Sequence, residues 1–241
     1  MIHYHGTPIG GKREDVARFL AGRHALVSFA RPEDLATAFE VCQSVAFDNG
    51  AFSAWISGNA ITDWSAYYEW VRQWMNCPHF DWAIIPDVIN GAESENDALI
   101  AEWEFGWRGV PVWHLHESLD RLERLSYEWP RVALGSSGEW PDPGTRKWWE
   151  RINDAMSVVC DECKQPRCKL HGLRMLDPAI FYRIPLASAD SANAAINGAR
   201  KATQCGCNTL TGQTIIADRI EAHQSAMTWV YLENQKVLVF E

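Results

Sequence analysis

The sequence predicts an α/β fold: a single (β/α)8 barrel of the TIM type spanning residues 1–241, irregular in places and without large insertions. Three observations predict it. Eight short apolar runs are spaced along the chain, and helical periodicity lies between most of them. Repeated β–α units imply a parallel sheet, and a count of eight favours closure over an open sheet. A length of 241 residues with 47% hydrophobic content supplies a core for one such domain.

The runs are Ile2–Thr7, Ala25–Phe29, Ser44–Asp48, Trp82–Asp87, Val110–His116, Arg131–Ser136, Lys169–Leu176 and Ile184–Asp190. Between them, Trp64, Tyr67, Tyr68, Val71 and Trp74 recur at the spacing of one helix face. Ser118 can cap a helix carrying Leu119, Leu122 and Leu125 on one side, and another helix begins near Thr145 with Trp148, Trp149 and Ile152. The chain holds 13 tryptophans, and such large rings need burial or something flat to stack on. Trp64, Trp74, Trp148 and Trp149 are expected to pack helices on the barrel.

No stretch reaches the ~18–20 apolar residues of a membrane span. The opening Met1-Ile2-His3-Tyr4-His5-Gly6 lacks the pattern of a signal peptide. A cytoplasmic protein with no membrane contact is expected. The net charge of −9 excludes a uniformly basic nucleic-acid binder. The charge is uneven, however: residues 144–201 carry 10 Lys+Arg against 6 Asp+Glu and form the one net-basic block. It includes Arg146, Lys147, Arg151, Lys164, Arg167, Lys169 and Arg174.

In a barrel of this kind chemistry gathers at the C-terminal ends of the strands. The predicted runs close on Asp48, Asp87, His114 and His116, Ser136 and Ser137, Asp177, and Asp190. A strand-ending Asp also serves as a turn former or helix N-cap, so each acid has both readings. The stretch Phe47-Asp48-Asn49-Gly50-Ala51-Phe52-Ser53 says most. A strand delivers an acid, two small residues leave room for a flat group, and Phe52 offers a ring to stack on it. Trp82-Ala83-Ile84-Ile85-Pro86-Asp87 again ends an apolar run in an acid, and Ala187-Ser188-Ala189-Asp190-Ser191 ends the last run in another. Gly135-Ser136-Ser137-Gly138 ends a run in small residues whose amides could meet a ligand edge.

These segments, in this order over roughly residues 44–192, resemble the tRNA-guanine transglycosylases, and most of all their phage and bacterial relatives that place 7-deazaguanines in DNA. Asp48-Asn49-Gly50-Ala51-Phe52-Ser53 resembles that family's Asp-Ser-Gly-Gly-Phe-Gln motif. Asp87 falls where the family has the acid that recognises the guanine edge, and His114 or His116 lies on the strand of its base-binding Gln. Ser188-Ala189-Asp190-Ser191 is similar to the strand presenting the nucleophile. The resemblance implies exchange of guanine for a free 7-deazaguanine base through a covalent glycosyl-enzyme. It implies Asp190 as nucleophile, Asp48 as general acid/base, Phe52 as stacking ring and Asp87 as acceptor for guanine. His114, His116, Ser136 and Ser137 would contact the base. The implied setting is a bacterial or phage-infected cell. The chemistry itself requires no cofactor, and monomer and homodimer are both open. The tRNA-docking insertions of the longer tRNA enzymes have no counterpart here, which favours DNA as the partner.

Two cysteine clusters raise the question of zinc. Cys160-x2-Cys163-x4-Cys168-x2-His171 has spacing that suits a structural Zn2+; the same residues also read as core packing and an ordinary strand histidine. Cys205-Gly206-Cys207 with His223 resembles the family's zinc site, but Leu210 stands where a third cysteine belongs. Two rival readings remain. A metal-dependent barrel hydrolase would use His3, His5, His114, His116 and Asp190. A catalytically silent barrel would only bind nucleic acid or a partner protein.

Overall fold

A computed structural model of the chain describes residues 1–230. Among the described residues the chain forms nine strands and ten α-helices. The strands are β1 (Ile2–Gly6), β2 (His24–Ser28), β3 (Ser44–Asp48), β4 (Phe80–Ile84), β5 (Gly109–Val110), β6 (Val112–His114), β7 (Arg131–Gly135), β8 (Lys169–Gly172) and β9 (Ser188–Ser191). The helices are α1 (Arg13–Leu20), α2 (Leu35–Val41), α3 (Ala51–Ile56), α4 (Ser65–Trp74), α5 (Glu93–Glu102), α6 (Leu119–Glu128), α7 (Arg146–Val159), α8 (Pro178–Phe181), α9 (Asn193–Cys205) and α10 (Thr209–Glu221).

Every strand pair is parallel, in the order β5-β4-β3-β2-β1-β9-β8-β7-β6. The two ends of that order are consecutive in sequence, separated by Pro111 alone. The run Gly109–His114 therefore pairs with β4 through its first half and with β7 through its second. Val110 O accepts from Ile85 N–H at 3.0 Å, and Pro111 O accepts from Ala133 N–H at 2.9 Å. The result is a nearly closed parallel barrel flanked by helices. One expected run becomes two strands because proline has no N–H to give the ladder.

Strand alternation sorts the side chains. Tyr4, Leu26, Ala46, Trp82, Ile84, Val110, Val112 and Ala133 fill the barrel interior, and two larger apolar clusters lie between barrel and helices. Trp64 and Trp148 are buried in those outer clusters, with Trp74 and Trp149 packed against them, as their helical spacing predicted. Helix α7 is capped by Thr145, whose hydroxyl accepts from Trp148 N–H, and α6 by Ser118, which accepts from Arg121 N–H.

Two run boundaries differ from the sequence reading by four residues, and the others by three or fewer. β8 ends at Gly172 rather than Leu176, because the chain turns at Arg174, a non-glycine residue with φ +58°. β9 begins at Ser188 rather than Ile184. Both changes leave the acids and their neighbours at the C-terminal rim.

Candidate active site

At the C-terminal rim a cavity of about 210 Å³ opens, on the scale of one flat heterocycle rather than a larger ligand. Asp48, Phe52, Asp87, His114, Ser136 and Asp190 all line it. They come from five separate strands and the loops that follow them. Arg31, Asn49, Leu173 and Arg174 complete much of the wall.

Asp48 ends β3 with its carboxyl turned to the cavity. Its Oδ2 accepts from Gly50 N–H at 3.2 Å. Gly50 has φ +80°, and a side chain there would meet Ala30 at 3.0 Å, so this turn demands glycine. Burial pushes the Asp48 carboxyl up from 3.8 to about 6, and the negative charges of Asp190 and Asp87 reinforce the shift. A carboxyl poised there can give and take a proton near neutrality.

Asp87 lies beyond the end of β4, in the following loop, and is 7% exposed. Its Oδ1 accepts from Asn49 Nδ2 at 2.6 Å, and its Oδ2 meets His114 Nε2 at 2.8 Å. Asn49 also donates to Ile85 O at 3.0 Å and accepts from Ala51 N–H at 2.8 Å. Asn49 thus ties the turn that carries Asp48 and Phe52 to the turn that carries Asp87. Carboxylate oxygens have about four lone-pair sites between them, so Asp87 keeps acceptor capacity for a ligand. Glu117, itself buried, accepts from His114 N–H and from Arg121 and Asn96, fixing the end of β6 beneath the site.

Asp190, in β9, is 7% exposed. Its Oδ1 accepts from Arg174 N–H at 2.9 Å, and His171 Nε2 stands 3.4 Å from the same oxygen. The other oxygen, Oδ2, has no hydrogen-bond partner among the described residues, so one oxygen is anchored and one is unengaged. Ser136 Oγ accepts from the buried Trp148 indole N–H at 2.9 Å. The Phe52 ring carries the Arg174 guanidinium over its face, with Cζ 4.0 Å from the ring centroid.

The other expected site residues sit elsewhere. His116 and Ser137 do not line the cavity: His116 Nδ1 meets Ser137 Oγ at 2.8 Å, and its Nε2 meets Gly91 O at 2.9 Å. Both ring nitrogens are used to hold loops together. His3 and His5 face outward from β1, to His223 O at 2.9 Å and Glu221 Oε1 at 2.7 Å, so the hydrolase ligand set is not assembled. The alternation of β1, which turns Tyr4 inward, is the reason.

The cysteine groups are not assembled either. His171 points into the barrel, where its Nδ1 meets Ser188 Oγ at 2.9 Å, whereas Cys160 and Cys168 lie in an outer apolar cluster and Cys163 is exposed. Burial raises the Cys160 and Cys168 thiols to about 11. Cys207 precedes α10 and His223 follows it, so that 13-residue helix holds them about 20 Å apart. No group of three or more His, Cys, Asp or Glu side chains among the described residues is arranged to hold a metal ion.

Asn49 and Arg174 are the site residues that sequence reasoning did not single out. Asn49 stood inside the quoted motif, and Arg174 stood inside the basic block. No helix among the described residues is long and apolar enough to cross a membrane. No family model, curated protein or solved structure matches the chain.

Proposed function

We propose that this chain is a base-exchange transglycosylase that replaces guanine in DNA with a 7-deazaguanine base. The observation that carries the reading is the convergence of Asp48, Asp87, Asp190 and Phe52 on one cavity sized for a flat heterocycle. Three carboxylates in three different settings allow three roles. The run Gly109–His114 is read as one barrel strand divided by Pro111, which gives the eightfold barrel this chemistry would occupy.

The target nucleotide leaves its stack and the guanine enters the cavity. Phe52 stacks on the base, and the free lone pairs of Asp87 accept from guanine N1–H and the exocyclic amino group. Asp190 Oδ2 attacks the anomeric carbon as the bond to the base breaks, and the electron pair leaves with guanine. Asp48, raised to about 6, delivers the proton that makes guanine a neutral leaving group. A 7-deazaguanine then takes the vacated place and gives its ring N–H proton to Asp48. Its nitrogen attacks the sugar, and the bonding pair returns to Asp190. No metal or cofactor is needed for either half. Ser136, held by Trp148, offers its own O–H to the base's other edge.

The test is incubation with guanine-containing DNA and a 7-deazaguanine, followed by nucleoside mass spectrometry. Wild type should incorporate the base, and Asp190→Ala should not. No incorporation by wild type across a panel of DNAs and 7-deazaguanines would reduce the resemblance to fold alone.

A further inference from the structure

Arg174 is rooted beside the attacking carboxylate and reaches the mouth of the cavity. Its backbone N–H holds Asp190 Oδ1 at 2.9 Å, its guanidinium lies over Phe52, and one of its terminal nitrogens is 3.4 Å from Ser136 O. It adopts φ +58°, a conformation that L side chains rarely take and that persists only where surroundings enforce it. The cavity wall holds two guanidinium groups. Arg31 is paired with Glu33 at 2.7 Å, whereas Arg174 makes no ion pair with a carboxylate among the described residues and is exposed.

Four other cations of the basic block have partners of their own. Arg146 pairs with Glu150, Lys147 with Glu139 and Arg167 with Glu123, and Arg151 donates to the carbonyls of Leu115 and Glu117. The wall nearest the chemistry carries Asp48, Asp87 and Asp190, a field that repels phosphate. A nucleotide brought to Asp190 must nevertheless set its backbone phosphate within a sugar's width of that field. The cation best placed to offset it is Arg174.

We propose that Arg174 is a phosphate subsite: its guanidinium binds a backbone phosphate flanking the nucleotide whose sugar faces Asp190. The site then selects guanine carried in a polynucleotide over the free nucleoside. The inference rests on the transglycosylase reading and adds to it the residue that holds the polynucleotide backbone beside the reacting sugar. The planar fork of arginine suits two phosphate oxygens at once, and Phe52 keeps that plane aligned.

The test pairs a protein change with a substrate change. Fluorescence anisotropy would measure binding of a short single-stranded oligodeoxynucleotide bearing one guanine. Its partners would be two oligonucleotides whose phosphate just 5′ or just 3′ of that guanine is an uncharged methylphosphonate. Wild type should lose roughly tenfold in affinity with one of the two, and Arg174→Gln should lose about as much with the native oligonucleotide. Combining the two changes should cost no more than either alone, and Arg174→Gln should flatten the salt slope by about one unit. Arg174→Lys should recover part of the affinity. Losses that multiply, or an Arg174→Gln protein with wild-type affinity and salt slope, would overturn the subsite while exchange by wild type still stood. If wild type neither binds nor modifies DNA, the reading of function fails and the subsite fails with it.

Discussion

Replacing Asp48 with Asn should stabilise the folded protein at neutral pH and leave its stability nearly unchanged in acid. The Asp48 carboxyl is lifted from 3.8 to about 6 by burial and by its acidic neighbours. The folded state therefore holds this proton more tightly than the unfolded chain does. Its contribution is fully present below pH 3.8 and is lost as pH rises through about 6. A shift of about two pK units at about 1.4 kcal/mol each sets a ceiling near 3 kcal/mol. Asp48 keeps some contact with solvent at the cavity wall, so screening brings the expected gain to about 1–3 kcal/mol at pH 7.5. Asn preserves the acceptor for Gly50 N–H, which keeps the turn intact. Urea unfolding of both proteins at pH 4 and pH 7.5 measures the effect, read from midpoints at equal slope. A variant no more stable than wild type at pH 7.5, or a gain that is the same size at pH 4, would show that the folded state does not hold the Asp48 proton more tightly.

Further predictions concern the site and its supports. In single-turnover guanine release, the rate should fall as pH rises above about 6, because the proton donor is then lost; a flat profile from pH 5 to 8 would remove Asp48 from that role. Phe52→Ala should weaken binding of guanine DNA by about 1–3 kcal/mol, the range for one base–aromatic stack, measured by anisotropy. Trp148→Phe should keep most of the packing but free the Ser136 hydroxyl, costing about 1 kcal/mol in thermal or urea unfolding. Metal analysis of the purified protein should find no stoichiometric zinc, since His171 faces the barrel interior and the cysteines do not; one zinc per chain would show that reading to be wrong.

Much of the barrel was legible because alternation and run length carry it. Ser44–Asp48 matches β3 end for end, and Arg131–Ser136 matches β7 to within one residue. The positions of Asp48, Asp87 and Asp190 at the rim were legible for the same reason, since each closes an apolar run; Asp177, which closes another, instead caps α8 through Ala179 N–H. What strand position could not tell was where a side chain goes after its strand stops. His114 and His116 are two apart and their rings stack at 5.7 Å, yet only His114 lines the cavity. Beyond the last ladder bond, loop contacts from Gly91 and Ser137 decide where His116 points. Residue spacing such as that of the zinc candidate ignores faces: His171 stands inside the barrel while Cys160 and Cys168 stand outside. Arg174 was hidden by chemistry of another kind. Its value lies in a backbone bend and a neighbour 122 residues earlier in the chain, Phe52, neither of which leaves a local pattern.

In the proposed mechanism Asp190 bonds covalently to the sugar of a guanine nucleotide. Wild type incubated with guanine DNA, without any incoming base, and then denatured should show a protein–DNA adduct by gel shift and mass spectrometry. Proteolysis should locate the added deoxyribose on the peptide containing Asp190, and added 7-deazaguanine should dissolve the adduct. Adduct formation that survives Asp190→Asn, or base exchange by wild type with no adduct under any quench, would contradict it.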